Sequence, residues 1–474
     1  MKPKPVATKN AKKPTFIKYL LNLMMIPLIA MFSLIFSCGK EENLETIDTE
    51  NSLIQTETAS KQHSPEMVLA WNQALQNLYT YQVNEGVPPP AISYVWAMTH
   101  LAMHDALNSI TPRYATYAGV PKDKDADPDA AVAQAAYDVI VAIKNLPFGA
   151  VYVPQNIGVY NTLLQNSLAN IPNGDAKTKG VALGHAVAQA LMAKRSGDFF
   201  SLLPASPNQP AEVTLPGEFR YLPFAPAPNG MGYAFPFFQN LTPVVLAEND
   251  QFRPGPPYAI NTQEYTDDYN EVKAYGELNS TIRTDDQTEF GVFWAENANR
   301  GWNEIAKQVL ANYNPQSQNA WKTAKFLATL HSAILDAQIS VFESKNHYYT
   351  WRPISAIRLA NTDGNNDTSA DVNWTPLLVT PPIPEYPSAH ALVGAAAGRV
   401  IYRNFSDRDN YTIHMNSGYT PGVVRTFSSL HDAIRENALS RIFIGYHFRQ
   451  AVDVGEAKGL ELGDYVFDHS LPEL

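Results

Sequence analysis

The chain has 474 residues, 45% of them hydrophobic and 17% charged, with a formal net charge of −11. That balance suits a large globular protein and excludes a disordered one. Its acidity makes nucleic acid a poor partner, because affinity for nucleic acid comes from neutralising phosphates. The only cysteine is Cys38, so an internal disulfide is excluded.

The chain opens on Lys2, Lys4, Lys9, Lys12, Lys13 and Lys18, then an apolar run from Tyr19 to Phe36, then Ser37-Cys38-Gly39. That order is an export signal. A small residue before a lone cysteine resembles a bacterial lipobox, although Phe36 stands where a small residue is more usual. The resemblance implies a signal peptide over residues 1–37 and a lipid anchor at Cys38. The protein is then expected to be exported as a membrane-anchored lipoprotein, periplasmic or at the cell surface; the alternative is an uncleaved membrane anchor. Losing residues 1–37 removes six lysines and no acid, so an anion site in the remainder has to be locally basic. Residues 38–65 are polar, lack apolar periodicity and read as a flexible tether.

From Glu66 the apolar spacing becomes helical through Val68, Trp71, Leu75 and Leu78, then Val95, Met98, Leu101 and Ala102. Further helices are expected over Ala130–Asn145 and Lys179–Lys194. Between Phe199 and Pro257, Pro, Gly and aromatic residues dominate, which blocks helix interiors and strand ladders. Residues 66–257 therefore read as an N-terminal helical region with a Pro-rich connection. Residues 258–474 read as a C-terminal helical domain. There, Phe326, Leu330, Ile334, Ala337 and Val341 form an apolar helical stripe, with Lys345 four residues further along the same face. Alternating strand patterns are scarce. The expected class is all-α, built of helical bundles, with the chemistry in the C-terminal one.

Three segments carry that chemistry. The first runs from Lys345 to Arg352-Pro353; proline biases Arg352 away from helical geometry, so the helix ends and Arg352 turns back toward Lys345. In the second, Pro387-Ser388-Ala389-His390 opens an apolar helix. Ser388 is a natural N-cap, and it brings a hydroxyl and free backbone N–H groups to a positive helix end that suits an anion. The third is Ser440-Arg441-Ile-Phe-Ile-Gly445-Tyr-His447, in which Gly445 is placed to end the helix. Singly, each reads as an ordinary helix end or cap. Together they supply two arginines, a lysine, a serine and two histidines, with no carboxylate inside the motifs. That set suits a tetrahedral oxyanion.

These segments resemble the acid phosphatase and vanadium haloperoxidase superfamily, with its K-x6-R-P, P-S-G-H and S-R-x5-H signature, over roughly residues 340–460. The resemblance implies that Lys345, Arg352, Ser388, the Ala389 amide and Arg441 hold the oxygens of vanadate. It also implies that His447 is the one protein ligand of the metal and His390 the acid–base residue. Ala389 departs from the usual glycine. The phosphatase pattern H-x3-D meets Ala451 instead of an acid, which leaves Asp453 as the candidate to orient His447.

Within the superfamily, the stretches Trp351–Arg358 and Pro381–Pro387 and the helical first half with His104-Asp105-Ala-Leu-Asn108 look like the haloperoxidase branch. That branch implies hydrogen peroxide, a halide (iodide, bromide or chloride) and a small organic acceptor as partners; a homodimer is compatible with it. An acid phosphatase using a phosphohistidine at His447 is the alternative. A phosphate-binding lipoprotein is a third reading, disfavoured because capture alone needs neither histidine. Phe342, Trp351 and Tyr386 are candidates for a halide pocket, beside Ile383 at a position that varies with halide preference. Glu296 and Asn297 are candidates to support a site arginine. His104, His331 and His431 are taken as structural.

Overall fold

The computed structural model describes residues 63–80, 89–146, 157–198, 215–221, 233–312, 318–405 and 410–474. The export segment, Cys38 and nearly all of the tether lie outside the described residues. Residues 62–474 cluster as one compact unit, so the boundary expected at 257/258 runs inside it.

Among the described residues, thirteen α-helices build that unit. In the first half, α1 spans Glu66–Thr80, α2 Pro89–Ile110, α3 Pro128–Lys144, α4 Gly158–Ala169 and α5 Asp175–Lys194. In the second, α6 spans Gln263–Tyr275, α7 Asp285–Phe293, α8 Ala298–Asn312, α9 Ala320–Tyr348, α10 Pro353–Arg358, α11 Ala389–Asn404, α12 Leu430–Phe443 and α13 Arg449–His469. The periodic helices expected from Glu66, over Ala130–Asn145 and over Lys179–Lys194 match α1, α3 and α5. One feature departs from a purely helical chain. Ile413–Asn416 (β1) and Val424–Phe427 (β2) form an antiparallel hairpin, Ile413 opposite Phe427. No helix among the described residues is long and apolar enough to cross a membrane.

Helix starts follow local chemistry. Asp127 accepts from the Ala130 amide with Pro128 at the first turn of α3, Asn319 caps α9 through the Lys322 amide, and Thr284 with Gln287 forms a capping box on α7. Each satisfies amides that the helix cannot.

Helix α9, 29 residues long, is buried on most sides. It packs against α2 in the first half and α11 in the second, so one core serves both halves. Asp336, fully buried on α9, accepts from the Val244, Val245 and Leu246 amides at 2.6, 2.8 and 3.1 Å. That carboxylate fastens the irregular connection to the central helix.

The tightest packing in the second half joins α11 to α13. Gly455, Gly459 and Gly463 recur every four residues on α13 and face α11. A Cβ on Gly459 would lie 2.2 Å from the Leu392 carbonyl oxygen, and one on Gly455 2.9 Å from that of Ser388. The close approach holds the N-terminus of α11 in place. Gly445, at φ +79°, ends α12 against the Gly276 carbonyl and Trp374, which brings His447 ahead of α13.

Two predictions follow from this packing. Helix propensity alone favours Gly459→Ala by about 1 kcal/mol, yet overpacking costs roughly 1–3 kcal/mol. Gly459→Ala should therefore lower stability in chemical denaturation; a gain would show that the helices separate freely. The second concerns the stacked pair His100 and His331, whose ring centroids lie 4.3 Å apart with both side chains fully buried. Burial pushes His100 down to about 4 and His331 well below its ordinary value. Depressed folded-state values mean that stability is complete above the unfolded value near 6.5 and is lost as pH falls toward 4. The double variant His100→Gln/His331→Gln should show a flatter stability profile over that window than the parent; an identical slope would refute the assignment.

Candidate active site

Lys345 stands in the last turn of α9, which stops when Tyr349 turns left-handed at φ 47°. Its Nζ is fully buried and donates to the Pro384 and Glu385 carbonyls, both at 2.7 Å. Arg352 is the N-cap of α10 ahead of Pro353, in extended geometry, as proline requires of its predecessor. Its Nε donates to the Ile383 carbonyl at 2.7 Å and its Nη1 to the Tyr446 carbonyl at 3.0 Å, with His447 Nε2 at 2.9 Å from Nη1. Lysine and arginine thus close on the same strand of chain, residues 383–385.

Ser388 is the N-cap of α11, but its side chain makes no capping bond. Its hydroxyl is buried without a hydrogen-bond partner among the described residues, and by helix geometry the amides that follow it have no intrahelical acceptor. Arg441 lies in the last turn of α12 with its guanidinium 5.4 Å from the Tyr446 ring centroid. Its Nε and Nη2 are buried and lack hydrogen-bond partners among the described residues. His390 Nε2 lies 3.2 Å from the Glu296 carbonyl. The three segments therefore converge, and Lys345, Arg352, Ser388, Ala389, His390, Arg441 and His447 belong to one neighbourhood.

Its electrostatics are unusual. Desolvation, with the Arg352 charge second, pushes Lys345 well below its ordinary value. Burial brings Arg352 and Arg441 each down to about 10. His447 is pushed well down by burial and then by Arg352, and His390 by desolvation and then by Arg441. Both rings are neutral at physiological pH. Three cations, a free hydroxyl, unpaired guanidinium hydrogens and helix amides make a donor set in want of an acceptor with several negative oxygens. The residues fit a tetrahedral oxyanion.

One functional carboxylate escaped the sequence reading. Glu385, 2% exposed, accepts from His447 Nδ1 at 2.8 Å and from the Phe448 amide at 3.1 Å through the same oxygen. Burial raises it to about 7, against the pull of Lys345 and Arg352. The site is therefore not free of carboxylates, as the motifs suggest. The only sequence signal is an acid alone in the Pro-rich run Pro381–Pro387. Asp453, the expected orienting acid, pairs with Arg435 at 2.8 Å instead, because α13 turns it away from His447 toward α12. The Glu296 carboxylate pairs with Arg300 at 2.7 Å and the Gly418 amide at 2.6 Å, and Asn297 accepts from the Asn299 amide. Neither side chain supports a site arginine; Glu296 meets the site through its carbonyl.

Phe342 packs on Phe238, ring centroids 5.3 Å apart, in the core. Trp351 and Tyr386 line a cavity of about 50 Å³ with Tyr265, Asp268 and Glu385. His104 faces Asp105 at 3.1 Å on α2, and His331 on α9 faces Asn303 on α8 at 3.2 Å, both consistent with structural roles.

Residues 325–472, which hold all three segments, match the model of the VCPO second helical-bundle domain. Vanadium chloroperoxidase of Curvularia inaequalis is 26% identical over 492 residues, spanning 82% of this chain and 79% of that protein. Over most of its length the chain is similar to vanadium haloperoxidases. The haloperoxidase fold extends beyond the matched domain. The crystal structure of a bacterial vanadium-dependent iodoperoxidase superposes with a TM-score of 0.71 at 22% identity, over 87% of this chain and 97% of that one. A holo-type bacterial vanadium-dependent chloroperoxidase gives 0.66 at 17% identity, over 85% and 97%.

Proposed function

We propose that the protein is a vanadium-dependent haloperoxidase that uses hydrogen peroxide to oxidise a halide to a hypohalous species, which halogenates a small organic acceptor. The observation that carries this reading is the convergence of buried Lys345, Arg352 and Arg441, the last with two guanidinium nitrogens lacking acceptors among the described residues, beside the ring of His447.

In this reading the three cations, the Ser388 hydroxyl and the Ala389 amide hold the oxygens of vanadate, and His447 Nε2 is the protein ligand. When bound, vanadate supplies the Lewis acidity that activates peroxide for oxygen transfer to halide. His390 manages the proton. Its Nε2 lies beside a carbonyl, which can only accept, so Nε2 carries the hydrogen and Nδ1 is the basic nitrogen that takes a proton from incoming peroxide. Burial and Arg441 keep the ring unprotonated, which leaves the Nδ1 lone pair free. Uncompensated cations also draw halide toward the site.

Peroxidase turnover of the purified protein should depend on added vanadate and on halide. His447→Ala should lose both the metal, by elemental analysis, and the activity, while keeping its fold. Phosphate added before vanadate should slow reconstitution, because the same donors read both anions. Efficient hydrolysis of phosphate esters by metal-free protein, with vanadate only inhibiting and no halide oxidised, would replace this reading by the phosphatase one.

Export with a lipid anchor at Cys38 is part of the proposal. It rests on the basic, apolar and Ser37-Cys38-Gly39 order of the first residues, and it keeps a diffusible oxidant away from cytoplasmic thiols and methionines. Cys38→Ala should leave an unprocessed precursor or release the protein from the membrane fraction. Unchanged fractionation and mass would exclude the anchor.

A further inference from the structure

We propose that Glu385 is a positioning residue for His447, its carboxylate fixing the ring and its tautomer so that the Nε2 lone pair faces the oxyanion cradle. The proposal deepens the vanadate reading and rests on it for the role of Nε2.

The tautomer follows from donor and acceptor arithmetic. An arginine guanidinium only donates, and Arg352 Nη1 lies 2.9 Å from His447 Nε2, so Nε2 presents its lone pair. With a donor facing Nε2, the ring hydrogen sits on Nδ1. That nitrogen lies 2.8 Å from Glu385 Oε1, an acceptor. Both ring nitrogens are satisfied in this tautomer and neither would be in the other.

Glu385 itself has no freedom to drift. Its amide donates to the Thr350 carbonyl at 3.0 Å. Its carbonyl accepts from Lys345 Nζ, and the next amide, of Tyr386, donates to the Thr350 hydroxyl at 3.1 Å. The Phe448 amide holds the same carboxylate oxygen that His447 uses. A ligating histidine held in this manner has its ring plane set and its ligating nitrogen made more basic; losing such a partner typically weakens metal affinity by about 10–100-fold. Asp453, the acid on α13 that the sequence offered for this role, is engaged by Arg435.

The chemistry separates positioning from a charge or folding effect. Removing a negative charge beside Lys345 and Arg352 would by itself tighten any anion. Phosphate reads the cations and amides but not the Nε2 lone pair, whereas vanadate reads both. Glu385→Gln keeps an oxygen for Nδ1–H and the Phe448 amide.

The experiment is calorimetric titration of the metal-free full chain with vanadate and, separately, with inorganic phosphate. Glu385→Ala should weaken vanadate about 10–100-fold and leave phosphate unchanged or tighter. Glu385→Gln should stay within a few-fold of the parent for both anions. In a His447→Ala background, Glu385→Ala should add no further loss of vanadate, as a double-mutant cycle requires of a residue acting through another. Nitrogen-15 shifts of His447 in the metal-free parent should report hydrogen on Nδ1. Equal weakening of both anions, a loss that persists without His447, or hydrogen on Nε2 in the parent would each overturn the proposal. Failure of the parent to prefer vanadate over phosphate would instead sink the vanadate reading, while the nitrogen shifts still decide the role of Glu385.

Discussion

The structure is organised around buried positive charge. Taking a cation out of water is expensive unless acceptors replace its hydration, and this chain buries Lys345, Arg352 and Arg441 almost completely. Lys345 and Arg352 are partly satisfied by the carbonyls of residues 383–385 and 446. Arg441 keeps two guanidinium nitrogens without acceptors among the described residues. A soft scaffold would collapse onto such donors and quench them. This one does not, because α9 spans both halves of the core and the Gly455, Gly459 and Gly463 stripe locks α13 onto α11 at backbone contact. The stability invested in helix packing holds the donors in fixed directions, and such preorganisation gives an oxyanion affinity and a reaction electrostatic help.

Much of this was legible in the sequence because the site residues sit next to residues that break helices. Pro353 forces Arg352 into extended geometry, Ser388 follows Pro387 at a helix start, and Gly445 ends α12 two residues before His447. Each breaker acts through local sterics, which sequence records directly. Helix α9 was legible for a related reason: a sustained apolar stripe with period near 3.6 has few other solutions. The hairpin at Ile413–Asn416 and Val424–Phe427 was not, since four-residue strands carry too little alternation to stand out. The domain division at 257/258 was drawn from a change of composition, and composition does not reveal that α9 serves both sides.

Glu385 was illegible for a deeper reason. Its partner His447 is 62 residues away, and nothing local distinguishes an acid that orients a ring from one that lies on a surface. Asp453 was the natural guess because the chain near His447 offers it six residues later. On α13, however, helical rotation carries Asp453 to Arg435, while the extended chain before Ser388 brings Glu385 underneath the imidazole. The tertiary path of residues 383–388 decides the matter. Three successive carbonyls of that path accept from Lys345 and Arg352, Glu385 takes the histidine, and Ser388 opens α11. A proline-rich segment suits the task, because carbonyls not engaged in a helix or ladder are free to point at cations.

Under the proposed vanadate reading, that same segment helps hold the His447 nitrogen that would bind the oxyanion's central atom. Arg352 Nη1 occupies the Nε2 lone pair, so the ring neither protonates there nor turns over, and Glu385 secures the opposite nitrogen. An arriving oxyanion offers Arg352 a charged oxygen, a stronger acceptor than a neutral ring nitrogen, and the exchange frees Nε2 at the moment an electrophilic centre reaches it. Any tetrahedral anion can make that exchange with the arginine. Only a centre that accepts a fifth donor would gain from the nitrogen so released, so the proposed reading places selectivity among anions of the same shape at His447 and in the carboxylate that holds it.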